Sequence, residues 1–334
     1  MKRNAMRWLC LPLAIAALAG QPAVAAAAAV PAATKVVDTE VARLAAGAGG
    51  VVGIAAWRLD GKGPRILLNA DAAFPMASTF KVPLAGKIFD MVDKGQLRLD
   101  QMLDVPQDMM SPSEVIADRF IHPGVSLSVH NLLEVMLTQS DNTATDVLMK
   151  AAGGPAAVTA WVRAQGVSAM RLDRDTNRLL RDFYRLGEGP LTEAFETAAK
   201  ADPALLTKGS RPDAAFDADP RDTSSPAAMA ALLTRMFAGK ALSAESTKAF
   251  TAIMERCRTG MARLPGRMPP GTTIARKTGT IGGTVNDVGM VSLPDGTGVV
   301  IAAYVKESAA PTADRERAIA EIARTVRDYF LFAN

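Results

Sequence analysis

Three short groups of residues combine serine hydroxyls with lysine amines. Ser78-Thr79-Phe80-Lys81, Ser140-Asp141-Asn142 and Lys277-Thr278-Gly279 follow one another in this order along the chain. A serine hydroxyl is a weak nucleophile until a nearby base accepts its proton, and a lysine whose pKa is lowered can be that base. The three groups therefore indicate nucleophilic chemistry by a serine that is activated by lysine.

The first group has the spacing of a nucleophile and its base. Ser78 and Lys81 are three residues apart at the start of an apolar-periodic segment, so a helix would place them side by side. Burial and a neighbouring cation, for which Lys277 is the candidate, would lower the pKa of the Lys81 amine. An ordinary N-capping serine beside a surface lysine is the alternative for this group alone.

The other two groups lie where chain elements end. Ser140-Asp141-Asn142 falls at a break between two predicted helices, where it could also be a helix N-cap. Lys277 ends a predicted strand, and Gly279 would let a substrate backbone lie along the edge of that strand. A glycine-containing turn would explain Gly279 but not Lys277.

Together the three groups resemble the signature of the penicillin-recognising serine hydrolases, and of class A serine β-lactamases most of all. The resemblance implies catalysis by Ser78, Lys81, Ser140 and Lys277. In that family the serine of the second group relays a proton to the leaving nitrogen, and the oxyanion hole is built from backbone N–H groups, here those of Ser78 and Thr280. It further implies substrate binding by Asn142, Thr278, Gly279, Thr280 and Arg263, with Asn142 on the side-chain amide and Lys277 and Arg263 on the carboxylate.

The chain departs from this family in the omega loop, where class A enzymes carry the glutamate that activates the deacylating water. That position here holds Thr176, and Leu180 replaces the usual asparagine. The resemblance implies a salt bridge between Arg174 and Asp222 at the base of the loop. These residues are 48 positions apart, so the omega-loop region 174–222 is enlarged. Apolar spacing within 175–220 predicts short helices that form an ordered lid.

The missing glutamate leaves three possibilities for the second half of the reaction. An acid of the insertion could activate water, Lys81 could act in both half-reactions, or the acyl-enzyme could persist. Loss of a general base typically costs about 10²–10⁴-fold in rate. The candidate acids are Asp175, Asp182, Glu188, Glu193 and Glu196, although each is more simply a solvated helix residue.

Composition indicates an exported globular protein. The chain has 334 residues, of which 49% are hydrophobic and 22% charged. A basic start, an apolar segment and the small residues Ala23-Val24-Ala25 predict a signal peptide at 1–25, hence a periplasmic or secreted protein. Without Lys2, Arg3 and Arg7, the 38 basic residues become 35 against 34 acidic ones. This balance predicts no nucleic acid and no membrane as partner, and it favours small molecules or cell-wall peptides as targets. The resemblance implies that the partner is a small-molecule β-lactam.

The order of predicted elements indicates an α/β (α+β) fold, and the resemblance implies that it is of the β-lactamase/transpeptidase type. Strands at both ends would form one antiparallel sheet flanked by helices, with an all-helical lobe inserted between them. We expect an α/β lobe from 34–75 and 256–334, and a helical lobe from 76–255.

Only two histidines occur, which argues against a zinc site and a histidine triad, so we expect no metal and no cofactor. Cys257 should be a buried, unpaired thiol in a monomer.

The sequence as a whole predicts an exported serine β-lactamase that hydrolyses β-lactam antibiotics through an acyl-enzyme on Ser78. Two alternatives remain open. One is a cell-wall D-Ala-D-Ala peptidase, and the other is a protein that binds β-lactams or cell-wall fragments with little turnover.

Overall fold

The computed structural model describes residues 32–112 and 115–332. The predicted signal peptide lies outside these residues. From Ala32 onward the chain forms one compact unit, and its predicted division into two lobes remains a prediction.

A five-stranded antiparallel sheet forms the centre, with strand order β2-β1-β9-β8-β7. Chain segments from both ends build it, as the sequence predicts. Two short antiparallel pairs, β3 with β6 and β4 with β5, lie outside it. The strands of the described residues are β1 (Val51–Arg58), β2 (Ile66–Leu68), β3 (Phe74–Pro75), β4 (Met102–Val105), β5 (Val125–Ser128), β6 (Thr223–Ser224), β7 (Ile274–Ile281), β8 (Thr284–Ser292) and β9 (Gly298–Lys306).

Helices cover both faces of the sheet. Most of them lie between β3 and β7 in the sequence, as expected for an inserted helical region. In the described residues they are α1 (Ala32–Ala46), α2 (Lys81–Asp93), α3 (Ile116–Arg119), α4 (Val129–Thr138), α5 (Asn142–Ala151), α6 (Pro155–Ala164), α7 (Thr176–Tyr184), α8 (Leu191–Ala201), α9 (Leu205–Lys208), α10 (Ala214–Asp217), α11 (Pro226–Phe237), α12 (Ala244–Glu255) and α13 (Thr312–Phe332).

Two apolar clusters hold the layers together. The helices α1 and α13 pack on one face of the sheet, and α11 packs on the other. Strand β9 is buried along its whole length except Lys306, because helices cover both of its faces. This two-sided burial makes the sheet a rigid support for the residues at its β7 edge.

Three details differ from the sequence prediction. Ser78 lies in a 3₁₀ turn (Ala77–Phe80), and the α-helix itself begins at Lys81. Strand β7 continues to Ile281 because residues beyond Lys277 pair with β8, so Lys277 does not end the strand. The pair β4–β5 was not predicted.

Candidate active site

Ser78 lies in a strained turn between the sheet and α2. The preceding residue, Ala77, has φ 46°, a left-handed conformation that is costly for a residue with a Cβ. Such strain persists only where the surroundings fix the backbone, and here the backbone N–H of Lys81 donates to the Ser78 and Thr79 carbonyls. Ser78 itself is only partly buried, so its side chain remains open to a ligand.

Lys81 is fully buried one helical turn after Ser78. Its Nζ donates to the Ser140 carbonyl at 2.6 Å, to the Ser140 hydroxyl at 3.2 Å and to Asn142 Oδ1 at 2.9 Å. Burial lowers the pKa of Lys81 well below its usual value, and the Lys277 cation lowers it further, while Asp141 and Asp146 oppose the shift. These are the two causes that the sequence analysis expected. A lowered pKa favours the neutral amine, the form of Lys81 that can accept a proton.

The Ser140 hydroxyl connects the two lysines. Lys277 Nζ donates to it at 2.9 Å and to the Thr278 carbonyl at 2.8 Å. Ser140 adopts φ 64°, which turns the chain between α4 and α5 toward the sheet, and the Asp141 side chain caps α5. Burial lowers the pKa of Lys277 to about 8. The structure thus brings Lys81, Ser140 and Lys277 together although they are far apart in the sequence.

Strand β7 is an edge strand, and its outer edge faces the turn that carries Ser78. A Cβ built on Gly279 would lie 2.6 Å from the Met76 carbonyl oxygen and 3.1 Å from the Ser78 nitrogen. Only a residue without a side chain allows this approach. Thr280 is exposed just beyond Gly279. The backbone of Ser78 and the strand edge therefore border one crevice.

Arg263 lies beneath this edge and is almost fully buried. Its guanidinium donates to the Gly279 carbonyl at 3.1 Å, to the Thr280 hydroxyl at 2.7 Å and to the Asn286 carbonyl at 2.9 Å, and it forms a 3.0 Å ion pair with Glu316. With these protein partners, Arg263 reaches the crevice through the Thr280 hydroxyl.

Two further buried residues support the crevice, and sequence reasoning missed both. Asn286 on β8 donates to the carbonyls of Pro75 and Met76 at 2.9 and 3.1 Å, which fixes the segment before Ser78. Asp287 forms a buried 3.0 Å ion pair with Arg276. Polar residues within a strand buried on both faces were the available signal, because buried polar groups need partners.

The base of the enlarged loop is closed as the resemblance implied. Arg174 Nε lies 2.6 Å from Asp222 Oδ2, and both residues are buried. The other oxygen, Asp222 Oδ1, accepts the backbone N–H groups of Asp173 and Arg174 at 2.7 and 3.0 Å. The Asp222 carbonyl accepts from Met76 N, so this clamp is also tied to the segment before Ser78.

Asp146 lies directly behind the position where the family places its glutamate. This α5 residue accepts the N–H of Thr176 at 2.7 Å and that of Asn177 at 2.9 Å. Burial raises the pKa of Asp146 to about 7, with the nearby Asp175 carboxylate adding to the shift. Asp146 and Asp175 together border a cavity of about 380 Å³. Besides the loop residue Asp175, a second carboxyl group is thus present next to Thr176, and it comes from α5.

The five candidate acids of the insertion occupy different environments. Asp175 caps α7 by accepting from Arg178 N at 2.7 Å. Asp182 forms ion pairs with Arg174, Arg178 and Arg221, which keep the pKa of its carboxyl below its usual value. The remaining three acids are exposed: Glu188, Glu193 and Glu196.

The insertion is built from four helices, α7 to α10, in agreement with the predicted short helices. Phe183 stacks edge-on against Phe216 with ring centroids 5.3 Å apart. Both rings pack on Gly282 in the β7–β8 turn, whose N–H donates to the Gly209 carbonyl at 2.8 Å. The insertion is thereby fixed to the hairpin that carries Lys277. Cys257 is buried and unpaired, as expected.

Comparison with known proteins gives one consistent result. Residues 36–330 match the model of a family described as the beta-lactamase enzyme family. The extended-spectrum beta-lactamase PER-1 of Pseudomonas aeruginosa is 30% identical over 291 residues, 84% of this chain and 82% of its own. Beta-lactamase VEB-1 of the same organism is 27% identical, covering 79% of this chain and 80% of its own.

Solved structures agree. A beta-lactamase from Chitinophaga pinensis has a TM-score of 0.73 at 30% identity, covering 89% of this chain and 99% of its own. An ancestral class A beta-lactamase has a TM-score of 0.72 at 32% identity, covering 87% of this chain and 99% of its own.

Proposed function

The chain belongs to the beta-lactamase enzyme family, as a class A serine enzyme, and from this premise we propose that it opens β-lactam rings through an acyl-enzyme on Ser78. The Ser140 hydroxyl carries the proposal, because it lies 2.9 Å from Lys277 Nζ and 3.2 Å from Lys81 Nζ. This arrangement provides a path for a proton from the base to the leaving nitrogen.

Acylation follows from these positions. Ser78 Oγ attacks the lactam carbonyl carbon while neutral Lys81 takes the hydroxyl proton. The oxyanion is stabilised by the backbone N–H groups of Ser78 and Thr280, which the approach of Gly279 to Ser78 supports. The ring C–N bond then breaks, and the proton passes from Lys81 through the Ser140 hydroxyl to the ring nitrogen. Lys81 ends neutral, and Ser78 carries the ester.

The remaining site residues bind and orient the substrate. Asn142, already oriented by Lys81, receives the side-chain amide, while Lys277 and the edge at Thr278, Gly279 and Thr280 receive the ring carboxylate. Arg263 orients the Thr280 hydroxyl and adds positive charge behind it. In this role it is a positioning residue.

For deacylation we propose Asp146 as the base. Its carboxylate accepts the backbone N–H of Thr176, and its pKa of about 7 suits proton transfer at neutral pH. Asp146 also interacts electrostatically with Lys81, whose pKa it raises. Water would lose a proton to Asp146 as it attacks the ester carbonyl carbon. The ester C–O bond would then break, and Ser78 Oγ would take a proton from Lys81, which Asp146 would in turn reprotonate. The ring-opened acid would leave, with Lys81 neutral and Asp146 ionised again. Asp182 is a poorer candidate because its carboxylate forms ion pairs with three arginines, which lower its pKa and so weaken it as a base.

Export to the periplasm or medium is part of the proposal. The basic and apolar sequence of residues 1–25 supports it. Within the described residues every helix is too short or too polar to span a bilayer.

One experiment separates this function from the two alternatives. Purified protein would be mixed with excess nitrocefin or benzylpenicillin, and with an acyl-D-Ala-D-Ala peptide, while product release is followed. We expect sustained opening of the β-lactams and little peptide cleavage. A single stoichiometric burst would instead identify a covalent binder, and faster release of D-Ala would identify a peptidase.

A further inference from the structure

One hydroxyl of the β7 edge strand is held by a residue from outside the sheet. Thr278 follows Lys277 on β7, and Thr259 lies in the loop after α12. The Oγ1 atoms of Thr259 and Thr278 are 2.5 Å apart. Among the described residues, this is the hydrogen bond that the Thr278 hydroxyl makes. The orientation of the Thr278 hydroxyl therefore depends on Thr259.

The loop that carries Thr259 is itself fixed against β7. Arg276, a buried residue of β7, donates from Nη2 to the Thr259 carbonyl at 2.5 Å and pairs with Asp287 at 3.0 Å. Gly260 has φ 58°, and a Cβ built on it would lie 2.8 Å from Thr278 Cγ2. Glycine suits this backbone conformation, and its lack of a side chain permits the close approach. The loop is thus held directly against the Thr278 side chain.

The hydrogen bonds of this group acquire a direction when an anion is bound. Each threonine hydroxyl carries one hydrogen, and a carboxylate accepts hydrogen bonds without donating any. Thr278 can bind a carboxylate only by pointing its own hydrogen at it, so Thr259 must then donate to Thr278 Oγ1. The Cys257 thiol, whose Sγ lies 3.5 Å from Thr259 Oγ1, can in turn donate to Thr259. The three side chains can therefore donate in sequence toward a bound anion.

We propose that Thr259 is a positioning residue for substrate binding: by donating to the Thr278 hydroxyl, it turns the hydrogen of Thr278 toward the carboxylate of the β-lactam. Hydrogen bonds to charged groups are stronger than those between neutral groups, so the orientation of this hydroxyl affects affinity. The inference rests on the proposed function, in which Thr278 receives the ring carboxylate. It adds a residue that acts on the substrate through Thr278.

A double-mutant cycle tests whether Thr259 acts through Thr278. Acylation efficiency with benzylpenicillin would be measured by stopped flow for the wild type, Thr259→Val, Thr278→Val and the double variant. Valine keeps the branched shape of threonine and removes its hydroxyl. Thr259→Ser retains a hydroxyl at this position. Thr251→Val, which removes a partly buried threonine hydroxyl of α12, is the matched control.

We expect Thr259→Val to lower the acylation efficiency about threefold to tenfold in the wild-type background. In Thr278→Val, where the hydroxyl that Thr259 orients is absent, the same change should cost less than about twofold. Thr259→Ser and Thr251→Val should match the wild type. Thr259→Ala, which needs no more room than the native side chain, repeats the comparison if Thr259→Val does not fold.

Two results would overturn the inference. Equal losses in the two backgrounds would show that Thr259 does not act through the Thr278 hydroxyl, and wild-type efficiency without the Thr259 hydroxyl would show that it has no part in binding. Failure of the wild type to be acylated would instead refute the proposed function.

Discussion

Lys277 Nζ donates to the Ser140 hydroxyl at 2.9 Å, which joins the edge strand of the sheet to the connection between α4 and α5. The two residues are 137 positions apart. Their contact closes one end of the crevice beside Ser78. It also couples the charge of Lys277 to the Ser140 hydroxyl, through which we propose that the proton reaches the substrate.

This coupling predicts an alkaline limit to acylation. Burial lowers the pKa of Lys277 to about 8, so its positive charge is lost as the pH rises through that value. Acylation efficiency for anionic β-lactams should therefore fall above about pH 8. Because a guanidinium stays charged, Lys277→Arg should move this fall to higher pH even if its overall rate is lower. Identical alkaline profiles for both proteins would show that another group titrates.

The clamp between Arg174 and Asp222 predicts a large loss of stability on truncation. Arg174→Ala leaves the Asp222 carboxylate buried without its cation, which typically costs about 3–5 kcal/mol. Urea unfolding would measure the loss. Arg178→Ala is the control, because that arginine is exposed in its pair with Asp182 and should cost less than about 1 kcal/mol. Equal losses in the two variants would contradict a structural role for the clamp.

The position of Asp146 predicts that acylation and deacylation can be separated. Asp146→Asn should be acylated within a fewfold of the wild-type rate, while its acyl-enzyme should hydrolyse about 10²–10⁴-fold more slowly. Single-turnover kinetics with benzylpenicillin would report both steps. Asp175→Asn, which removes the neighbouring charge but keeps an oxygen that can cap α7, should deacylate at close to the wild-type rate. Wild-type deacylation by Asp146→Asn would point to Lys81 as the base for both steps.

Asp146→Asn should also change how the stability of the folded protein depends on pH. The folded-state pKa of Asp146 is raised from 3.8 to about 7, so its ionisation opposes folding. The stability present at low pH is lost as the pH rises through about 7. The difference in melting temperature between Asp146→Asn and the wild type should therefore shift in favour of the variant between pH 5 and pH 8. A constant difference would show that the Asp146 carboxyl has no raised pKa.

The sequence predicted those parts of the site that depend on spacing and local pattern. The Arg174–Asp222 pair and the two causes of the lowered Lys81 pKa were both expected before the structure, and the structure confirms them. Each follows from residue types that a resemblance or elementary electrostatics can identify. The apolar spacing at Leu179 and Phe183 likewise predicted helical structure within the insertion, and both residues lie in α7.

The parts that were missed depend on long-range burial. Asn286 supports Pro75 and Met76 across 210 or more positions, and no local pattern identifies the partners of a buried amide. Asp146 falls inside a helical pattern, where its side chain reads as an ordinary polar position. Only the fold shows that it caps the segment that begins at Thr176.

The course of β7 illustrates a further limit. Glycine is unfavourable within a strand, so the sequence predicted that the strand would end near Lys277, before Gly279. In the structure Gly279 pairs with Asn286, and the glycine is needed because the Met76 carbonyl lies against it. Tertiary packing therefore decides the length of this strand.

Acylation of Ser78 is tested most directly by the intact mass of the protein after brief reaction with benzylpenicillin and acid quenching. We expect one added penicillin per molecule, located by peptide mapping on Ser78, and no addition to Ser78→Ala, with Thr79→Ser as a control that keeps the adduct. An adduct of the same mass on Ser78→Ala, or ring opening by that variant at the wild-type rate, would show that Ser78 is not the nucleophile.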